Sequence, residues 1–488
     1  MDTAGALSLV NHLYNTLNGR LEEVRSLNDY YRGKHPLRYA SEKWREFHAN
    51  RYSGFSDNWC APVADAPAER QRLEGVYATE QGDTDEEKEL WRDWLRNEGE
   101  AQSSQGFLQS VIARRSFAFV WGDEDDSPLL TWESPSQVVV GYDPERPNRR
   151  VAALKVWLDD AWENATLYTA EAVWKFRRRA PQTTQAGGRI YVVERYQSQV
   201  TTATRWEQRE VPGERWPLPN PMGAVPIVEF PNRPMLGGEP ISDIAGTKAM
   251  QDAINLLWSY LFSSADHASH PARVVMGAEP PKIPVLDANG QIVGSRPAEM
   301  RDLEQGRFLW LTGKDAKVDQ WDAAKLDVFT SVIENAVGHI AAQTRTPPHY
   351  LVANKGLANL SGDALTAAET GLVKKVEAQQ LYFSGAMREV FRLMALVRGQ
   401  TALAEQMRSA TVRWRDPAMQ SESQIVDALQ KRHGMGYPLR YLLELEGHSG
   451  PEIDRIMSMV DDERRDPFFR DLEENALPDD VTPVDVEA

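Results

Sequence analysis

Apolar residues recur about one helical turn apart near the start of the chain. Leu9, Leu13, Leu17, Leu21 and Val24 predict a helix over Leu7–Tyr31. The stretch EEKELWRDWLRNEG gathers Leu90, Trp91, Trp94 and Leu95 on one face and predicts a second amphipathic helix. The period then changes. SFAFVWG, SQVVVGYD, VAALKVWLD, NATLYTAEAVWKF and RIYVVERYQ are rich in β-branched and aromatic residues, lie between turn clusters and read as strands. Residues 1–235 are expected to form an α+β domain, with an antiparallel or mixed sheet and flanking helices.

PNRPMLGGEP is a Pro/Gly-rich break, and helical spacing follows it. Met250, Ile254, Leu257 and Leu261 make one apolar stripe, with Ile244, Leu256 and Trp258 off it. VLDANGQIV places Asn289-Gly290 between apolar runs, a strong hairpin signal. A further helix is expected over Asp322–Gln343, with Leu326, Phe329, Ile333, Val337 and Ile340 on one face. Next comes RTPPHYLVANKGLANLSGDAL, in which two prolines stop a helix and a long, nearly uncharged loop precedes another. Such long loops tend to be functional. Leu365, Leu372, Val376, Phe383, Met387, Val390 and Met394 then keep helical phase from Asp363 to Val397, with Ser361 or Asp363 as N-cap. Unbroken, that helix is roughly 50 Å long. ATVRWRDP reads as a returning strand. SESQIVDALQKRHG and PEIDRIMSMVDDERR form a helical end domain, and the acidic, proline-containing tail is expected to be disordered.

Composition narrows the function classes. The 488 residues carry 72 acidic and 55 basic side chains, a net charge of −17, with 41% hydrophobic content. An ordinary globular protein fits these figures; one that grips nucleic acid tightly does not, since phosphate binding needs clustered Lys and Arg. A single cysteine, Cys60, excludes an internal disulfide and a Cys-rich zinc cage and reads as a buried small hydrophobe. The start lacks a signal-peptide pattern, and no run of about eighteen apolar residues predicts a membrane span. No phosphate-cradling loop, Gly-x-Ser-x-Gly elbow or His-Glu-x-x-His occurs. His267 and His270 have a spacing that could share a metal, but no third ligand is indicated, and a polar helix end fits them better. The acidic run Asp123–Asp126 resembles the carboxylate clusters that hold Mg²⁺ in nucleases, although a solvated turn is the commoner use of such a run. No catalytic residue, metal or cofactor is expected.

Five stretches, in order, carry a resemblance: NDYYRGKHPLRYAS, NWCAPVADAPAERQR, ESPSQVVVGYDPE, VPIVEFPNRPMLGGEPISDI and TRTPPHYL followed by NLSGDALTAAETGLVKKV. Together they resemble the portal protein of long-tailed (siphovirus-type) phages, closest to the form in actinobacterial phages, from about residue 10 to 465. The resemblance implies the phage portal fold: an α+β wing over 1–235, stem helices at 236–267 and 321–343, and a small β-containing clip at 268–320. A tunnel loop at 344–362, a long wing helix with a returning strand at 363–416, a helical crown at 417–465 and an acidic tail at 466–488 complete it.

The resemblance also implies function. It implies a homo-oligomeric ring, normally of twelve subunits, at one capsid vertex of the virion. Assembly would take place in the host cytoplasm with the major capsid and scaffolding proteins. Double-stranded DNA would pass through without sequence specificity, and the terminase packaging motor and then the head–tail adaptor would dock. No enzyme activity and no membrane partner are implied. The loop residues expected to face DNA are His349, Asn354, Lys355, Gly356, Asn359 and Gly362. Stem packing and subunit contact are expected from Met250, Ile254, Leu257, Trp258, Leu261, Leu326, Phe329, Ile333 and Ile340. The clip would present Asp287, Asn289, Gly290 and Gln291 to partners. Two readings stay open beside it: a metal-dependent nuclease using Asp123, Asp125 and Asp126, and an acidic helical scaffold.

Overall fold

The computed structural model describes residues 1–35, 55–78, 84–123, 125–159, 162–179, 205–269, 273–276, 282–286, 290–297, 308–311, 317–320, 325–351, 362–418, 422–448 and 450–465. In chain order these form α1 (Thr3–Tyr31), α2 (Cys60–Ala68), β1 (Leu73–Tyr77), α3 (Asp85–Arg96), α4 (Gly99–Ala113), β2 (Arg115–Gly122) and β3 (Pro128–Glu133). Then come β4 (Val138–Tyr142), β5 (Arg150–Asp159), β6 (Trp162–Thr169), β7 (Ala172–Arg179), β8 (Glu207–Gln208), β9 (Leu218–Pro219) and β10 (Ile227–Pro231). The middle of the chain holds α5 (Lys248–Ser269), β11 (Arg273–Met276), β12 (Lys282–Leu286), β13 (Ile292–Pro297), β14 (Phe308–Leu311), β15 (Lys317–Gln320) and α6 (Asp327–Thr344). The remainder is α7 (Pro348–Leu351), α8 (Gly362–Val397), α9 (Thr401–Gln406), β16 (Thr411–Trp414), α10 (Glu422–Gly434), α11 (Leu439–Glu446) and α12 (Gly450–Arg465). The fold is α+β, as expected.

The chain divides into two units. One comprises Met1–Arg25, Asp65–Ser242 and Ser361–Ala488; the other comprises Ser26–Ala64 and Asp243–Leu360.

In the first unit, β4, β5, β6, β7 and β8 form an antiparallel sheet in sequence order, with β9 also on β7. Helix α1 covers it through Ala6, Val10, Leu13 and Leu17, which meet Leu154, Leu167, Trp174 and Phe176. Leu9 and Leu21 lie half-buried at the edge of this stripe, so the inward face is rotated from the one expected. NATLYTAEAVWKF is two strands, because the chain turns at Ala170 and Glu171 between β6 and β7. RIYVVERYQ lies outside the described residues.

A second sheet, β10-β2-β3, packs with α3, α4 and the C-terminal half of α8. On α8, Phe383, Met387, Val390, Phe391, Leu393, Met394 and Ala395 are all buried, so its last turns are apolar almost all round, the mark of a core helix. Phe383 stacks on Phe107 at 5.2 Å, and Phe391 on Trp94 at 5.6 Å. Thr84 and Glu87 close a capping box that starts α3. Leu95, expected on its apolar face, is exposed. Helix α4 has no clear apolar period because its buried face uses small residues: Ser103, Gly106 and Ser110 accompany Phe107 and Val111. Gly106 lies flat against Trp132, where a Cβ would come 2.0 Å from the indole. The Ser110 hydroxyl donates to the Phe230 carbonyl at 2.7 Å.

Two ionic clusters tie α8 to its surroundings. After its last turn, Arg398 grips buried Asp93 of α3 with two hydrogen bonds, at 2.8 and 2.6 Å. Glu389 accepts both Arg392 hydrogen bonds at 2.7 Å and pairs with Arg150 of β5. Strand β16 pairs antiparallel with β1, as the returning-strand reading requires.

Candidate functional site

The second unit holds most of the residues expected to act. Its helices α5 and α6 pack together, but α5 turns a polar face inward. Gln251, Asp252, Asn255 and Ser259 are buried, while of the predicted stripe only Ile254 is; Met250, Leu257 and Leu261 are half-buried. The physical reason lies in the segment before α2. Gln251 Oε1 accepts from the Trp59 amide at 2.7 Å, and Asn255 Oδ1 accepts from the Asp57 amide at 2.9 Å. The Tyr30 hydroxyl donates to the Asp252 carboxylate at 2.7 Å, and Lys248 lies 4.7 Å from the Tyr30 ring while donating to Ser26. Backbone amides and hydroxyls around α5 need acceptors, and apolar side chains supply none. Those residues therefore take the inside positions.

Trp258 and Ile244, off the apolar stripe, are both engaged within the unit. Trp258 donates its indole N–H to Asp57 Oδ2 at 2.7 Å and packs with Phe262 and Phe55, so part of its surface is committed within the unit. Ile244 is fully buried and offers nothing to a neighbour. On α6, Ile333, Val337 and Ile340 are buried as expected, Leu326 and Phe329 are half-buried, and Val328 and Val332 stand exposed. The helix begins at Asp327 instead of Asp322.

His35 sits in the same network. Its Nε2 faces the Tyr30 carbonyl at 2.8 Å, an atom that can only accept, so this nitrogen carries the proton. Its Nδ1 then accepts from Asn255 Nδ2 at 2.9 Å and from the Ser56 hydroxyl at 2.7 Å. Burial lowers its pKa, outweighing the opposite pull of the Tyr30 carbonyl and the Asp252 charge. Nearby Cys60 is buried as expected, 3.5 Å from the Thr247 hydroxyl, and burial pushes its thiol up to about 11.

The prolines do not stop α6. Arg345 in the left-handed region (φ 57°) does, with Arg345 N–H on Ala342 O and Thr346 N–H on Ala341 O at 3.1 Å, a Schellman ending. Pro348 instead opens a further helical turn, where its missing N–H costs nothing. His349 is half-buried in that turn, its ring 4.6 Å from Tyr350, and Leu351 is buried. The first part of the expected loop is thus helical, and Gly362 is the first residue of α8. Asn354, Lys355, Gly356 and Asn359 lie outside the described residues.

The hairpin forms as its Asn-Gly signal predicts. β12 and β13 pair antiparallel from Lys282↔Pro297 to Leu286↔Ile292, and Gly290 has φ 79°. Gln291 is exposed; Asp287 and Asn289 lie outside the described residues. Consecutive Ile292 and Val293 are 71% and 68% exposed, so both faces of this ribbon meet solvent. A second small sheet, β14-β11-β15, is mixed: β11 runs parallel to β14 and antiparallel to β15.

The acidic run closes the β2–β3 turn. Asp125 Oδ1 accepts the Ser127 amide at 3.0 Å and the Ser127 hydroxyl, and these bonds lower its pKa. Among the described residues, no three His, Cys, Asp or Glu side chains converge as a metal site. His270 lies outside them. No helix among them is long and apolar enough to cross a membrane.

This order of elements, α5, two small sheets, α6, a linking segment and the long α8, is set in a chain whose residues 11–460 match the family model "Phage portal protein, SPP1 Gp6-like". The chain belongs to the phage portal family. It is 29% identical to the portal protein of Mycobacterium phage L5 over 393 residues, 76% of this chain and 71% of that protein. The portal protein of Mycobacterium phage D29 matches at the same identity and coverage. Both relatives come from actinobacterial phages, the form that the sequence resembles. Around α5 of this portal chain, the polar inner face and the His35 network were not legible beforehand. The only signal was the run of Gln251, Asp252, Asn255 and Ser259, spaced as one helical stripe.

Proposed function

We propose that this portal chain closes into a homo-oligomeric ring, of twelve subunits, at one capsid vertex of the virion, assembled in the host cytoplasm with the major capsid and scaffolding proteins. Double-stranded DNA enters through its centre during packaging and leaves through it during ejection. The terminase packaging motor docks there first and the head–tail adaptor afterwards. The role is structural, without catalysis.

One observation carries the reading: the polar stripe of α5 faces inward and apolar side chains stand partly in water. Helix α5 buries its polar stripe and leaves Met250, Leu257 and Leu261 partly in water, and α6 adds exposed Val328 and Val332. Apolar surface of this kind calls for a partner. Identical subunits in a ring provide one, because each contact joins two different faces of the chain. The hairpin supports the same reading: a lone two-stranded ribbon is marginal in water and gains from added strands or a packing surface.

The segment 349–362 then lines the path of DNA. It carries Lys355 as its one Lys or Arg, with His349, Asn354 and Asn359 among its polar groups. Every further cation, repeated around a ring, would add phosphate contacts and retard sliding. The net charge of −17 per subunit acts in the same sense.

Electron microscopy of the purified protein tests the reading. Annular particles with a central hole are expected, and Leu257→Asp with Leu261→Asp should abolish them by forcing unpaired charge into the contact. Compact monomers at micromolar concentration, over a range of salt, would refute the ring.

A further inference from the structure

The break PNRPMLGGEP is a rigid projection. Buried Asn232 fastens its neck: its amide donates to the Arg114 carbonyl at 2.8 Å, its Nδ2 donates to the Ile241 carbonyl at 2.8 Å, and its Oδ1 accepts from Gln379 Nε2 at 2.9 Å. The Ile241 amide returns to the Asn232 carbonyl at 3.0 Å. Arg233 donates to the Ser242 carbonyl at 3.2 Å, and Glu239 pairs with Arg20 at 3.0 Å and with Arg115. At the tip, Gly237 (φ 70°) makes a turn closed by Gly238 N–H on the Met235 carbonyl. This scaffold holds Leu236 out at 105% exposure, with Met235 exposed beside it.

A matching surface lies on the same unit. On α8, Ala378, Leu381, Tyr382 and Gly385 are exposed, Leu381 at 71%, and a Cβ at Gly385 would meet nothing within 4 Å. From Gln379, which touches the neck of the projection, these four lie about 200–300° around the helix at 3.6 residues per turn. The shallow apolar face therefore lies about 60–160° around the helix from the neck contact and is a patch distinct from the knob. A symmetric pair of chains uses one patch twice, whereas a cyclic ring needs two different patches facing apart. The two together are also small. About 800 Å² per partner is needed for an independent interface, so they suit the anchor of a larger contact and not a free-standing dimer.

We propose that Leu236 of each subunit seats against the Ala378–Gly385 face of the neighbouring subunit's α8. The inference rests on the ring proposed above and specifies one contact within it. Preorganisation of the tip removes much of the ordering cost of docking.

Covalent trapping tests the contact, and the chain is suited to it because its one cysteine, Cys60, is buried. The full-length protein carrying Leu236→Cys and Gly385→Cys is treated with a short bis-maleimide and run on a denaturing gel. A ladder of multimers is expected from the double variant, and monomer alone from either single variant. Dimers from Leu236→Cys alone, or rings of the double variant that yield no ladder, overturn the contact while leaving the ring standing. Absence of rings from the unaltered protein fails the ring reading, and the contact with it. As a second readout, Leu236→Asp should leave circular dichroism and melting of the subunit unchanged while raising the concentration for half-assembly about tenfold or more. Unchanged assembly by that variant also overturns the contact.

Discussion

Replacing Gly106 by alanine adds one methyl group where, among the described glycines, there is least room. The new Cβ would lie 2.0 Å from Trp132 Cε3, against the 3.5–4.0 Å at which carbon atoms normally rest. The indole would have to withdraw by roughly 1.5 Å, yet the Phe230 and Phe107 rings already pack on it, with centroids 4.5 and 5.5 Å away. Overpacking of this kind costs about 1–3 kcal/mol, and here the upper end applies because the neighbours are themselves buried. Alanine regains about 1 kcal/mol of helix propensity over glycine. The net expectation is a loss of about 2 kcal/mol. Gly19→Ala on α1 is the control: a Cβ there meets nothing within 4 Å, so the propensity gain of about 0.5–1 kcal/mol should appear alone. Urea unfolding followed by tryptophan fluorescence reads both. The same chemical change should move the transition in opposite directions. A Gly106→Ala protein as stable as the original would show that Trp132 can yield, and would refute the argument.

Asp93→Ala leaves Arg398 without its two charge-assisted hydrogen bonds; with Asp93 buried and Arg398 partly exposed, a loss of about 2–4 kcal/mol is expected in the same unfolding assay. His35 has a folded-state pKa below its unfolded value of about 6.5, so its contribution is complete above that pH and declines as pH falls below it. The protection of amides 56–60 from exchange, taken relative to the intrinsic rate at each pH, should therefore fall on acidification, and His35→Gln should flatten the trend; an unaltered trend would exclude His35 as its source. Glu389 behaves in the same direction at lower pH. Burial would raise its carboxyl, but the Arg392 hydrogen bonds and the Arg150 charge hold it below the usual value, so the stability gap between the original and Glu389→Gln should close as pH falls below about 4.5. Asn354→Lys with Asn359→Lys should leave rings intact and reduce DNA packaging or ejection, scored as phage yield; an undiminished yield would remove the proposed role of the loop.

What could be read beforehand followed the strength of local pattern. Helices α1, α3, α5, α6 and α8 announced themselves by apolar spacing, and the β12–β13 turn by Asn289-Gly290. Helix α4 stayed hidden because Ser103, Gly106 and Ser110 face inward to fit around Trp132 and the Phe230 carbonyl, a demand set by residues distant in the chain. The stripe on α5 was located correctly, but its polar neighbour was not foreseen: hydrogen-bond demand from Asp57 and Trp59 brings Gln251 and Asn255 inside and leaves Met250, Leu257 and Leu261 half-buried. Prolines 347 and 348 drew attention as the stop of α6, while the real stop, Arg345 in a left-handed conformation, leaves no trace in residue type.

The union of β1 with β16 bears on how the polypeptide is made. Arg70 bonds to the Pro417 carbonyl, 347 residues downstream. At 5–20 residues per second, a ribosome takes roughly 20–70 s to deliver the second partner after the first has emerged. Until then the N-terminal strand has no mate and the aromatic core lacks α8. A product terminated before Thr411 therefore lacks the mate of β1 altogether.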